Sequence, residues 1–435
     1  MWSAIVVTIL NSDNCFLPAP NHEICELNSK DAFRATWYSY LFQDYESPAT
    51  VLIDINKMMN NDKVISCYYN MPDNLADPSN NLLPSNIDPY LCTHINVAFA
   101  RIDNGVIDLP PQNIAILDEL CTYLNIANPK LKILISIGGT DKGFPNMIVD
   151  HAHRKTFIKS VIAFLVKHKL NGVDLDWEFP AISGKLRERQ HFSQLLREIR
   201  AEFVRGKHDF ILTVAAGAPE LLIQQSYDVD QLNLYTDYVN IMTYDYHYYS
   251  TFTPFTGLNA PLYSHETFGY AATLNINYTV DLYMRKGLNA NKIVVGIPTY
   301  GHTYELYNEN NTNIGSPAKY FGDLGTLGFV NYPEICDYIQ NNEDKVLLKT
   351  DTIGRVPYLS KGYTWVSYEN EYSVMEKAKL VKKYNLRGAM IYSLNADDYL
   401  GKCLVQGFVN FPLAHTVWNT LWQRQYYCIV FYYYY

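Results

Sequence analysis

Asn171-Gly172-Val173-Asp174-Leu175-Asp176-Trp177-Glu178-Phe179 alternates acidic with large apolar side chains. Successive side chains of a β-strand point to opposite faces, so Asp174, Asp176 and Glu178 share one face while Val173, Leu175, Trp177 and Phe179 share the other. A solvated acidic edge strand would not carry four large apolar residues on its reverse, and the pattern reads as a strand buried on both sides. Three carboxylates then converge with no cation in the motif. That is costly unless protons are shared, so at least one carboxyl is expected to have its pKa raised by its neighbours. A raised carboxyl at the C-terminal end of a strand is what a general acid requires. Three carboxylates also suit Mg²⁺ or Ca²⁺, but no phosphate-binding glycine loop accompanies them, and the expectation is a site without metal or cofactor.

Outward from this strand, short β-branched runs recur at Val64–Tyr69, His94–Phe99, Lys132–Ile137, Gly172–Phe179, Ile211–Ala216, Tyr238–Tyr244, Lys292–Pro298 and Gly388–Leu394. Helical spacing fills the gaps. Phe192, Leu195, Leu196, Ile199 and Phe203 fall on one helical face, as do Phe157, Val161, Phe164 and Leu165 just before the acidic strand. Eight strand and helix units predict an α/β fold, the parallel (β/α)₈ TIM barrel, with chemistry at the C-terminal strand ends. About 90 residues separate the seventh run from the eighth, far more than a βα connection needs. An inserted α+β subdomain is expected there, at about 303–370. Residues 1–62 lack a sustained period and read as an extension, 63–415 as the barrel, and 416–435 as a Tyr-rich tail.

Composition narrows the function. With 48% hydrophobic and 18% charged residues the 435-residue chain can build a core, and a net charge of −9 without a basic run argues against a nucleic-acid partner. No apolar stretch approaches the ~20 residues that cross a bilayer. The 37 tyrosines suit a surface that stacks on sugar rings, and equally an ordinary core. Eight cysteines fix no connectivity by count, and none sits in zinc spacing. Sequons at Asn277 and Asn310 are compatible with a secreted glycoprotein. The short apolar run Ala4–Leu10 makes a poor signal peptide, having neither a preceding positive charge nor a clear cleavage site.

GVDLDWEF resembles the DGxDxDWE signature of the glycoside hydrolase family 18 chitinases and chitinase-like proteins, with Asn171 in place of the first Asp. The resemblance extends over about residues 63–415 through KILISIGG (132–139), NIMTYD (240–245), GLNAPLY (257–263), GIPTYG (296–301) and GAMIYSLNADD (388–398). It implies retaining hydrolysis of chitin or chito-oligosaccharides without a protein nucleophile. Glu178 would protonate the glycosidic oxygen, while the substrate's own 2-acetamido oxygen attacks the anomeric carbon, an exception to the two-carboxylate scheme. Asp176 would orient the acetamido group and share a proton with Glu178, Asp174 would hold Asp176, and Tyr244 would steady the acetamido group. Asp245 and Met242 would line the same subsite, with Tyr68, Phe99 and Tyr392 as floor positions. Judged without the resemblance, Tyr68 and Phe99 read equally as core aromatics. His247 and His302 are candidates for the cleft or for structural roles. The resemblance also implies the disulfides Cys67–Cys92 and Cys336–Cys403, hence an oxidising folding compartment. A secreted, extracellular protein and a monomer are expected. The resemblance leaves Cys15, Cys25, Cys121 and Cys428 unassigned.

The sequence departs from the family in its tryptophans. Thr140 follows the paired glycines where the family has Trp, Tyr392 stands for Trp on the eighth strand, and Pro72 follows the first. After the sixth strand, Tyr248-Tyr249-Ser250 replaces two small residues and a Trp. Two functions are therefore expected to compete, a chitinase with its acids intact and a chitinase-like lectin that binds N-acetylglucosamine polymers without turnover.

Overall fold

A computed structural model describes residues 63–72, 81–403 and 410–422 with their side chains, together with the backbone strands Ile5–Leu10, Phe33–Ala35, Thr50–Asp54 and Tyr426–Tyr433. The chain divides into two compact units, one of Lys63–Leu421 and one of Met1–Asp62 with Trp422–Tyr435.

Eight strands form the larger unit's centre: β1 (Val64–Asn70), β2 (His94–Asp103), β3 (Lys132–Thr140), β4 (Gly172–Trp177), β5 (Ile211–Gly217), β6 (Tyr238–Met242), β7 (Ile293–Pro298) and β8 (Gly388–Tyr392). Each pairs in parallel with the next, and β8 returns to β1, closing the barrel with no free edge. Helices alternate with the strands. On Arg187–Arg205 the buried set includes Phe192, Leu195, Leu196, Ile199 and Phe203, the face that the spacing predicts. On His151–His168, Phe157, Val161 and Leu165 are buried, while Phe164 is half-buried against His168.

The acidic strand is shorter than the alternation predicts. After Trp177 the chain leaves the sheet into a turn in which Ile182 N–H donates to the Phe179 carbonyl at 3.3 Å. Trp177 keeps its outward position, stacked on Phe144 at 5.1 Å, edge-on to Phe192 at 5.8 Å, and donating through Nε1 to Asp141 at 2.6 Å. Phe179 does not follow it, because the turn brings its ring to a cavity that Glu178 also lines.

Between β7 and β8 a second sheet is built from the antiparallel strands Tyr300–Leu306, Ala318–Phe321, Phe329–Asn331, Leu347–Thr350, Pro357–Lys361 and Thr364–Ser367, with the helix Tyr332–Gln340. It begins immediately after β7, and Tyr304, Tyr358 and Trp365 pack its core. Two disulfides are present, Cys67–Cys92 and Cys336–Cys403. Cys121 is a buried free thiol, and Cys15 and Cys25 lie outside the described residues.

The larger unit continues past 415 because buried Asp397 and Asp398 hold the segment after β8. Asp397 accepts from the N–H of Ala414 at 2.9 Å and Asp398 from that of Cys403 at 2.6 Å, which secures the helix Pro412–Trp422. In the smaller unit, Tyr426–Tyr433 lies antiparallel between Ile5–Leu10 and Thr50–Asp54. The two ends of the chain thus meet in one sheet. Both are rich in β-branched and aromatic residues, but a pairing across more than four hundred positions leaves no local signal. No helix among the described residues is long and apolar enough to cross a membrane.

Trp177→Ala removes a fully buried, doubly packed ring and is expected to cost about 3–5 kcal/mol in urea denaturation of the oxidised protein. A loss below about 1 kcal/mol would mean that the aromatic stack does not secure β4 to its helices.

Candidate active site

The site rises along β4. At the bottom, Asp174 is fully buried and accepts four hydrogen bonds from four strands. The Tyr68 hydroxyl (2.7 Å) and Ser136 Oγ (2.8 Å) donate to Oδ2, and Thr213 Oγ1 (2.6 Å) and Asn240 Nδ2 (3.3 Å) donate to Oδ1. Burial raises its pKa, and these donors, which favour the charged form, pull the other way. Asp174 is therefore the carboxylate best equipped to keep its charge.

Asp176, one pleat higher, has no such cage. It is buried, its Oδ1 has no hydrogen-bond partner, and no hydrogen bond joins it to Asp174 among the described residues. The donors of four strands occupy both oxygens of Asp174, which acts on Asp176 through its charge. Burial first, then the charges of Glu178 and Asp174, push the Asp176 pKa well above the usual carboxylate range. Glu178, just past the strand end, is half-buried and also raised, by burial and then by the charge of Asp245. The alternation read from sequence thus yields two carboxyls that cannot both ionise cheaply, as the convergence of three acids predicts.

The paired glycines Gly138 and Gly139 make room for this. Gly138 has φ 126°, and a Cβ there would lie 1.9 Å from the Asp176 carbonyl oxygen, so no other residue fits.

Tyr244 and Asp245 close the upper wall. The Tyr244 ring is buried, its phenol held protonated by burial and by the neighbouring Tyr392, Asp176, Asp245 and Glu178, and its hydroxyl meets only Met390 Sδ, at 3.8 Å. It is a donor without an oxygen partner. Asp245 sits in left-handed backbone at φ 57°, pinned by Asn259, whose Oδ1 accepts its N–H at 2.8 Å. The same Asn259 donates to the Tyr300 carbonyl at 3.2 Å, which gives the GLNAPLY segment its structural task. Asp245 Oδ1 in turn accepts from the Tyr300 hydroxyl at 2.6 Å and lies 2.7 Å from His302 Nε2.

Tyr392 lies between Tyr68 (5.4 Å) and Tyr244 (5.8 Å), forming an aromatic floor. Phe99 borders the same floor, 6.4 Å from Tyr68. The Tyr68 hydroxyl is spent on Asp174, which makes that residue a support for the acid. Met242, half-buried, lines a cavity of about 560 Å³ with Glu178, Phe179, Asp245, Tyr248 and Phe329. Trp177 and Trp365 are fully buried outside it, Thr140 is exposed, and of the rings that line the cavity Tyr248 and Phe329 are the most exposed, each about half. His302 is a buried partner of Asp245, and His247 faces a neighbouring cavity, where burial lowers its pKa to about 4. Among the described residues no cluster of three His, Cys, Asp or Glu is arranged to hold a metal.

Sequence reading missed Ser136, Thr213, Asn240 and Tyr300. The first three had a signal, a polar residue at an inward strand position level with Asp174; Tyr300 lay within the quoted GIPTYG segment.

A closed parallel barrel that delivers carboxyls of raised pKa to its C-terminal rim beside an aromatic floor belongs to the class of barrel enzymes and binding proteins that work on strand-end acids. The profile of glycosyl hydrolases family 18 matches residues 64–397, and the chain belongs to that family. Chitinase-3-like protein 2 of Homo sapiens is 34% identical over 369 residues, covering 82% of this chain and 92% of that protein. Among solved structures, the Group IV chitinase of Ostrinia furnacalis is 32% identical at a TM-score of 0.76, covering 82% of this chain and 99% of its own. Human YKL-39, described as a pseudo-chitinase with retained chitooligosaccharide binding properties, is 33% identical at 0.77, with coverage of 82% and 99%.

A carboxyl whose pKa is raised on folding holds a proton that the unfolded chain releases. Its stabilisation is present at low pH and is lost as pH rises from the unfolded value, near 4, through the folded one. Asp176→Asn removes that titration. The unfolding free energy of the wild type should therefore decline relative to the variant as pH climbs above about 4. Parallel pH profiles in denaturant titrations would contradict the shared-proton arrangement.

Proposed function

We propose that this protein hydrolyses β-1,4 N-acetylglucosamine linkages in chitin or chito-oligosaccharides by a retaining, substrate-assisted route with Glu178 as general acid and base. The reading is carried by one observation, the presence of Glu178 at the cavity wall directly above a buried Asp176 that has a free oxygen and a raised pKa. Glu178 gives its proton to the glycosidic oxygen as the bond to the anomeric carbon breaks. The 2-acetamido oxygen of the same sugar bonds to that carbon, forming an oxazolinium ion. Asp176 orients the acetamido N–H and takes up its growing positive charge, and Tyr244 donates to the acetamido oxygen. Water then attacks the anomeric carbon, returns its proton to Glu178, and restores the acetamido group.

The four donors around Asp174 favour its charged form, and that charge beneath Asp176 favours retention of a proton there. Tyr392 supports the sugar whose bond is cleaved. The two disulfides favour an oxidising compartment, consistent with a secreted protein. Of the sequons, Asn310 is exposed, whereas the Asn277 side chain accepts from the Tyr384 hydroxyl at 2.9 Å. A non-hydrolytic lectin is the competing reading, favoured by the absence of an exposed indole at the cavity.

Glu178→Gln keeps the shape of the acid but not its proton. With soluble chito-oligosaccharides as substrate, release of N,N′-diacetylchitobiose should fall by at least about 10²-fold in this variant while oligosaccharide binding persists. Undiminished turnover in the variant would refute the role of Glu178. A wild type that binds without turnover would establish the lectin.

A further inference from the structure

The two sequons, Asn277-Tyr278-Thr279 and Asn310-Asn311-Thr312, are treated differently by the fold. Asn277 stands in the first turn of the helix Ile276–Arg285, where its side-chain oxygen accepts from the Tyr384 hydroxyl at 2.9 Å. Thr279, on the same helix, is fully buried, 2.7 Å from the Tyr246 hydroxyl and donating to the Ala218 carbonyl at 3.1 Å. The hydroxyl that completes this sequon is thus withdrawn into the fold, and the triplet can be read only before the helix forms.

The second sequon follows the strand Tyr300–Leu306 of the second sheet. Tyr307, Asn308, Glu309, Asn310 and Asn311 are all exposed. The chain turns here, with the Asn311 N–H donating to the Asn308 carbonyl and the Asn310 N–H to Asn308 Oδ1, each at 3.0 Å. Only the backbone of Asn310 is engaged in this turn, so its side-chain amide is left to solvent. The base of the loop is fixed, because the buried Trp365 donates through Nε1 to the Thr312 carbonyl at 3.1 Å and Ser316 Oγ to Asn311 Oδ1 at 2.8 Å. The Thr312 hydroxyl is half-buried and accepts one long contact, from Lys349 Nζ at 3.4 Å. A turn held at its base, with an open amide at its tip, is the surface-loop setting that an oligosaccharide acceptor requires.

Three residues before Asn310, the Tyr307 ring is 63% exposed. Tyr363, 48% exposed, belongs to the neighbouring chain segment, and its carbonyl accepts the Leu306 N–H at 2.7 Å. Lys319 Nζ lies 6.0 Å from the Tyr307 ring and 4.9 Å from that of Tyr363, so the two rings flank one lysine as an uncovered aromatic patch beside the turn. The apolar face of a pyranose ring complements such a surface. Neither Tyr307 nor Asn310 lines the cavity with Glu178, so a sugar attached here leaves that cavity open.

We propose that Asn310 is an N-glycosylation site and that the first sugar of its glycan, an N-acetylglucosamine, packs its apolar face on the Tyr307 ring. The donor is a lipid pyrophosphate-linked oligosaccharide. The Asn310 amide nitrogen bonds to C1 of the reducing-end sugar as the bond from C1 to the pyrophosphate oxygen breaks. The pyrophosphate leaves with the electron pair, and the amide gives up one proton. This rests on the secreted reading, since donor and transferase work in the compartment where disulfides form, and it stands apart from whether the barrel hydrolyses its ligand.

The test expresses the full chain in cultured insect cells and treats it with peptide N-glycosidase F, which converts a glycosylated Asn to Asp. Peptide mass spectrometry should find that conversion at position 310 and not at 277. Asn310→Gln should abolish the shift in electrophoretic mobility on treatment and leave oligosaccharide binding unchanged, whereas Asn277→Gln should keep the shift. Deglycosylation should lower the melting temperature of the wild type and have no effect on that of Tyr307→Ala, where the sugar has lost its ring. An unmodified Asn310 in protein whose Cys67–Cys92 and Cys336–Cys403 disulfides have formed would overturn the site, as would a glycan at Asn277 in its stead. An equal drop in melting temperature for the wild type and Tyr307→Ala would overturn the packing on Tyr307. Protein without glycan in which those four cysteines are free thiols would sink the secreted reading and the site together.

Discussion

The cage of four donors around Asp174 is the constraint on which the rest depends. A carboxylate inside a closed barrel costs several kcal/mol unless its lone pairs are met, and Tyr68, Ser136, Thr213 and Asn240 meet them from β1, β3, β5 and β6. Only a closed barrel brings those strands to one level. Burial first, then Glu178 and Asp174, hold the pKa of the next acid, Asp176, well above the usual carboxylate range. Asp176 and Glu178 are both raised, so the two acids nearest the rim share a tendency to hold a proton.

The upper wall obeys a similar logic by different means. Asp245 would be misplaced by ordinary extended backbone, and Asn259 holds it in a left-handed turn while fastening the loop to the second sheet through Tyr300 and Ser367. The second sheet is therefore more than an ornament of the barrel. It supplies Tyr300 and His302 to Asp245, and Phe329 to the cavity wall.

Much of this was legible in the sequence because the relevant periodicities are short. A period of two gave the shared face of Asp174 and Asp176, and the recurrence of β-branched runs gave the eight strands. The same rule failed at Phe179, since alternation holds only while the chain stays in the sheet, and the turn after Trp177 lies beyond what a period can express. It also passed over Ser136, Thr213 and Asn240. Each is an unremarkable polar residue within its own strand, and its purpose exists only across strands. The pairing of Tyr426–Tyr433 with Ile5–Leu10 escaped for the same reason at a larger scale.

By itself the sequence determined the kind of chemistry available, because which acids are present and on which face of their strand they stand is a local property of residue order. Tertiary structure decided their charge. The pKa of a carboxyl depends on how much water burial removes and on which donors and charges lie within a few ångströms, and here those donors come from residues up to 172 positions apart in the chain. Barrel closure alone makes them neighbours.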